Sequence, residues 1–163
     1  VYLFFDFAGY SNMAIGASYI FGVRTPENFN APFVSKDIKE FWNRWHMTLS
    51  FWFRDFLFSR ITMALVRTRK IKNKLVIASI AFMINMFVMG VWHGLELNYI
   101  VYGLYHGVLL SACEIFQKKS KFYKAHKKDK WFMGVSWFIT LHLVMFGFFI
   151  FSGRLGILLS SQG

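Results

Sequence analysis

Four stretches of the chain, residues 7–23, 75–95, 97–113 and 131–153, contain no Asp, Glu, Lys or Arg. A helix needs ~20 mostly apolar residues to cross a bilayer, so the second and fourth qualify outright and the other two marginally. The pattern predicts spans near 1–23, 75–95, 97–116 and 131–153, and with them an all-α, polytopic integral membrane protein. Between the first two spans, RTPENFNAPF (24–33) holds both prolines and must be a loop or a chain of turns.

The stretch that follows is patterned differently. SKDIKEF (35–41) reads as a helix start, with Ser35 as N-cap and Asp37 in the first turn. If one helix continues through FWNRWHMTLSFWFRDFLFSR (41–60), Trp42, Trp45, Leu49, Trp52, Phe53 and Phe56 share one face. Asn43, His46, Ser50 and Arg54 share the opposite one, together with Met47 and Leu57. Aromatics on one side and polar groups on the other predict in-plane amphipathic helices near 35–66, with the polar face toward a wet cavity.

Composition agrees with the membrane class, at 56% hydrophobic and 21% aromatic residues in a chain of 163. The net charge of +11 is concentrated in RTRKIKNK (67–74), at +5, and KKSKFYKAHKKDK (118–130), at +6. Both clusters flank apolar runs, so the positive-inside rule makes them cytoplasmic loops of a multi-pass protein rather than a nucleic-acid surface. Anionic membrane lipid or an acidic cytoplasmic partner is the expected neighbour of both loops. The chain opens on VYLFFDFAGY without an initiator Met or a basic leader, and reads as a fragment of a longer protein.

Candidate chemistry rests on histidine. His93 lies in MGVWHGLE at the end of a span, with Gly90 and Gly94 leaving room for a ligand. A neutral imidazole there could take a proton from an acceptor hydroxyl, or simply cap a helix end. His106 shares a stripe with Tyr99 and Tyr102 that reads as a packing seam or a cavity wall, and His142 is expected to pack between helices. His126 sits in a basic loop, and Asp6 in the first span needs a partner inside the bundle. Cys113 is expected to be buried and inert. No histidine pair has i, i+4 spacing and carboxylates are scarce, so no metal site is expected, and haem ligation has no spacing signature.

FDFAGYSNMAIG, PENFNAPF, FWNRWHMTLSFWFRD and the histidine of MGVWHG, 47 residues beyond that of RWHMTLS, together resemble the membrane-bound O-acyltransferase (MBOAT) family. The wording is more similar to its D-alanyl transfer members than to its alginate O-acetylating members. The resemblance implies that residues 1–163 are the C-terminal portion of one membrane domain, part of a helical funnel. It implies transfer of D-alanine from the phosphopantetheine arm of a carrier protein toward lipoteichoic acid, with other D-alanylation proteins as partners and no bound cofactor. The catalytic histidines would be His93, as general base, and His46. Asn43, Ser50, Arg54, Asn85 and Trp92 would line or support the tunnel, and Ile61, Thr62, Met63, Leu65, Val66, Arg67 and Arg69 would dock the carrier. Alternatives are a polysaccharide O-acetyltransferase and a non-enzymatic transporter or scaffold.

Overall fold

A computed structural model of the chain describes residues 2–154; the remaining tail, 155–163, and Val1 lie outside the described residues. The described residues are helical: α1 (Tyr2–Ile20), α2 (Ile38–Arg44), α3 (Met47–Trp52), a π-helical stretch (Phe53–Phe58), α4 (Ser59–Arg67), α5 (Lys74–His93), α6 (Leu97–Lys119), α7 (Lys121–His126) and α8 (Lys130–Phe151). A single 3₁₀ turn, Pro32–Val34, interrupts the loop before α2.

Three of the helices, α5, α6 and α8, are long and apolar enough to cross a membrane. The fourth expected span, α1, has 19 residues but does not join them, because Asp6, Ser11, Asn12 and Ser18 dilute its apolar character. Asp6 is exposed and makes no ion pair among the described residues, contrary to the expectation of a partner inside the bundle.

The centre of the bundle is the antiparallel pair α5 and α6. Their backbones touch at glycine: a Cβ on Gly90 would meet the Tyr99 carbonyl oxygen at 2.5 Å, and one on Gly103 would strike the Met86 carbonyl. Close approach through small residues is how helices associate where no hydrophobic effect drives them together. The space expected beside Gly90 and Gly94 is therefore filled, by the α6 backbone and by the Tyr99 ring. α8 is tied to α6 by Tyr105 Oη donating to the Leu143 carbonyl at 3.0 Å and Asn98 Nδ2 donating to the Phe151 carbonyl at 2.8 Å.

Within the segment expected as in-plane helices, α2 packs down the length of α6. Gln117 Nε2 donates to Asp37 at 3.0 Å, Lys39 pairs with Glu114 at 2.5 Å, and the Trp42 indole donates to His106 Nδ1 at 3.3 Å. From Gln117 to His106 is 11 residues, about 16 Å of helix. Trp45 then packs on Phe148 of α8, with ring centroids 4.9 Å apart. Irregular backbone at such depth is tolerated where it is enclosed by protein or lines a cavity.

Two local readings change with this descent. Asp37, rather than Ser35, caps α2, accepting from the Lys39 and Glu40 amides at 2.9 Å each. Ser35 is buried and donates to the Pro32 carbonyl. The single helix expected through 41–60 is broken at His46, whose left-handed backbone (φ 45°, ψ 53°) ends one helix and starts the next. Trp42 and Trp45 are buried, whereas Trp52 and Phe56, assigned to the same face, are about half exposed at 54% and 52%.

Candidate functional site

The break at His46 is held by a single side chain from the proline-containing loop. Asn28 Oδ1 accepts from Thr48 Oγ1 at 2.5 Å and lies 3.3 Å from His46 Nδ1, while Asn28 Nδ2 donates to Ser11 of α1 at 2.9 Å. The Asn28 carbonyl accepts from the Met47 amide at 2.9 Å, and Phe29 bridges to Trp45. A non-glycine residue with positive φ is sustained only where its surroundings over-determine it, and such residues gather at working sites. With an acceptor against Nδ1, the neutral His46 ring carries its proton there and leaves Nε2 as a lone pair. Burial, reinforced by the neighbouring His93, lowers the His46 pKa to about 4.

His46 and His93 line one cavity of about 100 Å³. Phe7, Trp45, Tyr102 and Phe151 close it. The His93 ring stands edge-on to Phe151, with centroids 5.1 Å apart, and makes no hydrogen bond among the described residues. Nineteen residues separate Lys74 from His93, about 28 Å along α5, so the histidine pair lies toward the end of the bundle opposite the basic clusters.

A second cavity, about 400 Å³, adjoins the first, since Trp42 and Met89 line both. Asn43, Ser50, Arg54 and Asn85 line it, together with Lys39 and Glu114 near the basic end of α6. Four of the five expected tunnel residues thus gather in one space, although the helix on which three of them, Asn43, Ser50 and Arg54, were aligned is broken. Asn85 is 7% exposed, and its Oδ1 is buried without a hydrogen-bond partner. Arg54 binds Asp55 at 2.7 Å and lies over the Phe51 ring. Trp92 is the exception: it is 57% exposed, lines neither cavity, and its ring stands edge-on to His93 with centroids 4.9 Å apart.

The proposed docking residues divide by face. Met63, Val66, Arg67 and Arg69 are exposed, whereas Ile61, Thr62 and Leu65 are partly covered. α4 continues directly from Arg54 and Phe58, which line the larger cavity.

The other histidines separate cleanly. His106 is fully buried against Trp42, Tyr102 and Tyr105, in the packing seam expected of it. His142 is exposed on α8 rather than packed between helices, and His126 binds Asp129 at 2.7 Å. Cys113 is half-buried rather than buried. No group of three or more metal-ligating side chains occurs among the described residues. Asn28, Thr48 and Phe7 were not singled out from sequence, whereas Tyr102 was named in a stripe that could be a cavity wall. Asn28 was the one within reach, being a polar residue in the quoted PENFNAPF stretch.

A histidine pair facing one cavity, among helices long and apolar enough to cross a membrane, defines a membrane protein with a buried histidine site. The chain belongs to the membrane-bound O-acyltransferase family, whose model matches residues 1–153. It is 51% identical to the teichoic acid D-alanyltransferase of Bacillus subtilis over 154 residues, and 46% identical to that of Streptococcus thermophilus over 162. Each match covers 94% of this chain and 39% of the relative. It is also 38% identical to a probable alginate O-acetylase of Pseudomonas syringae, over 91% of this chain and 26% of that protein. The chain spans about two-fifths of the length of the teichoic acid relatives.

Proposed function

We propose that this chain supplies the histidine site and part of the tunnel of a membrane O-acyltransferase that moves D-alanine from a carrier protein's phosphopantetheine thioester toward lipoteichoic acid. The observation that carries the reading is the pair of adjoining cavities, one lined by His46 and His93, the other running toward the basic end of the bundle. The thioester arm would come from the basic, cytoplasmic end through the larger cavity. An acceptor hydroxyl would meet it at the smaller.

His93, which makes no hydrogen bond among the described residues, is the general base. It takes the hydroxyl proton as the oxygen attacks the thioester carbonyl, and the proton passes to the departing thiolate as the tetrahedral intermediate collapses. His46, with its Nδ1 proton committed to Asn28, offers Nε2 to orient the acceptor hydroxyl. The D-alanyl donor is favoured by the teichoic acid relatives, which match at 40–51% identity against 35–40% for the alginate group.

In the complete protein, His93→Ala is expected to lower D-alanyl transfer by about 10²–10⁴-fold without loss of membrane insertion. Transfer at the wild-type rate overturns the role of His93. Offering D-alanyl and acetyl thioesters in parallel decides the donor, since preferential acetyl transfer would assign the chain to the polysaccharide-modifying branch.

A further inference from the structure

A third cavity among the described residues is as large as the larger of those two. About 420 Å³ lies on the outer side of α6 and α8, between the start of α2 and the basic loop. Its walls are apolar: Leu109, Phe116, Phe132, Val135, Ile139 and Leu143. Val135 and Ile139 are about half exposed, so the groove opens on the flank of two spanning helices where acyl chains run.

Its charged residues are all at one end. Asp37 and Glu40 are already committed, Asp37 to the α2 amides and Gln117, Glu40 to Arg44 at 2.8 Å and the Lys36 amide at 2.9 Å. Lys36 and Lys127 are exposed and make no salt bridge among the described residues. Lys127 belongs to the 118–130 cluster, which the positive-inside rule assigns to the cytoplasmic side, and Lys36 lines the same cavity. An apolar slot along two spans, ending in two uncommitted ammonium groups on the basic side, has the chemistry of an anionic phospholipid turned on its own axis.

We propose that this groove binds one anionic glycerophospholipid of the cytoplasmic leaflet. An acyl chain lies along Leu109, Phe116, Ile139 and Leu143, and the phosphate sits between Lys36 and Lys127. The site is separate from the histidine cavities and does not depend on the transfer reaction.

The test uses the complete protein in nanodiscs and two lipids bearing the same photoreactive acyl chain, phosphatidylglycerol and phosphatidylcholine. Phosphatidylglycerol is expected to label residues 109–116 and 132–143 preferentially. Lys36→Gln with Lys127→Gln should lower that labelling roughly tenfold. Reversing charge at Lys72 and Lys74 in the other basic cluster should leave it unchanged. Ala112→Trp, which fills the groove without touching the lysines, should abolish it for both lipids. Equal labelling by the two lipids, labelling indifferent to Lys36 and Lys127, or protection of the groove by another part of the chain would each overturn the proposal.

Discussion

Asn28 decides which nitrogen His46 turns into the cavity, and through Ser11 it ties that choice to α1. Replacing it with Ala removes the side-chain acceptor shared by His46 and Thr48, and leaves the left-handed backbone at position 46 supported only by the backbone bonds of residues 28 and 29. A destabilisation of about 1–3 kcal/mol is expected, together with a transfer defect greater than that of Thr48→Ala. Thermal unfolding and acyl-transfer assays on the complete protein check the two parts separately. The same ring carries a pH signature. Folded His46 stays neutral down to about pH 4, whereas an unfolded chain takes up its proton near the ordinary 6.5. Below pH 6.5 the unfolded state therefore holds more protons, and stability must fall as pH drops from 6.5 toward 4, with no contribution from this group above that window. His46→Gln should flatten this part of the pH–stability profile. An unchanged slope would show that other groups set it.

At the scale of elements, α5, α6 and α8 were legible because a spanning helix announces itself by an uninterrupted apolar run, and their ends fall within a few residues of those expected. The break at His46 was not. Nothing in RWHMTLS disfavours helix, and the reversal is imposed from a distance by hydrogen bonds from Asn28 and by packing of Trp42 on His106. Asn43, Ser50 and Arg54, aligned on a helical wheel whose helix does not run unbroken, still line one cavity with Asn85 of α5, because tertiary folding returns them to the same side. The glycines were read as room for a ligand, and they serve helix contact instead. Gly103→Leu is expected to part α5 from α6, since even its Cβ would strike the Met86 carbonyl. A loss of about 1–3 kcal/mol or more, seen as a lower unfolding temperature, should accompany a fall in transfer as Met89 and Tyr102 move off the histidine cavity. Gly134→Leu, with open space around its Cβ, is the matching control and should be near neutral.

Across the whole molecule, the polar chemistry is arranged along one axis. Because α5 and α6 are antiparallel, Lys74 at the start of one and Lys119 at the end of the other fall at the same end, bringing the two basic clusters together. His93 ends α5 at the opposite pole, and the two adjoining cavities run between. In the proposed transfer, an acidic carrier would be drawn to the end from which its arm can reach the histidines, where Arg67 at the end of α4 and Arg69 just beyond it are both exposed. Charge steers encounter more than it holds a complex together, and exposed charges are screened within about 10 Å at 0.1 M salt. Arg67→Glu with Arg69→Glu should accordingly slow carrier association several-fold at low salt and converge on the wild type near 1 M. Met63→Ala with Val66→Ala, which trims the apolar part of the same surface, should instead speed dissociation at every salt concentration. Stopped-flow binding of the loaded carrier to the complete protein separates the two effects, and an arginine variant indifferent to salt would place the docking surface elsewhere.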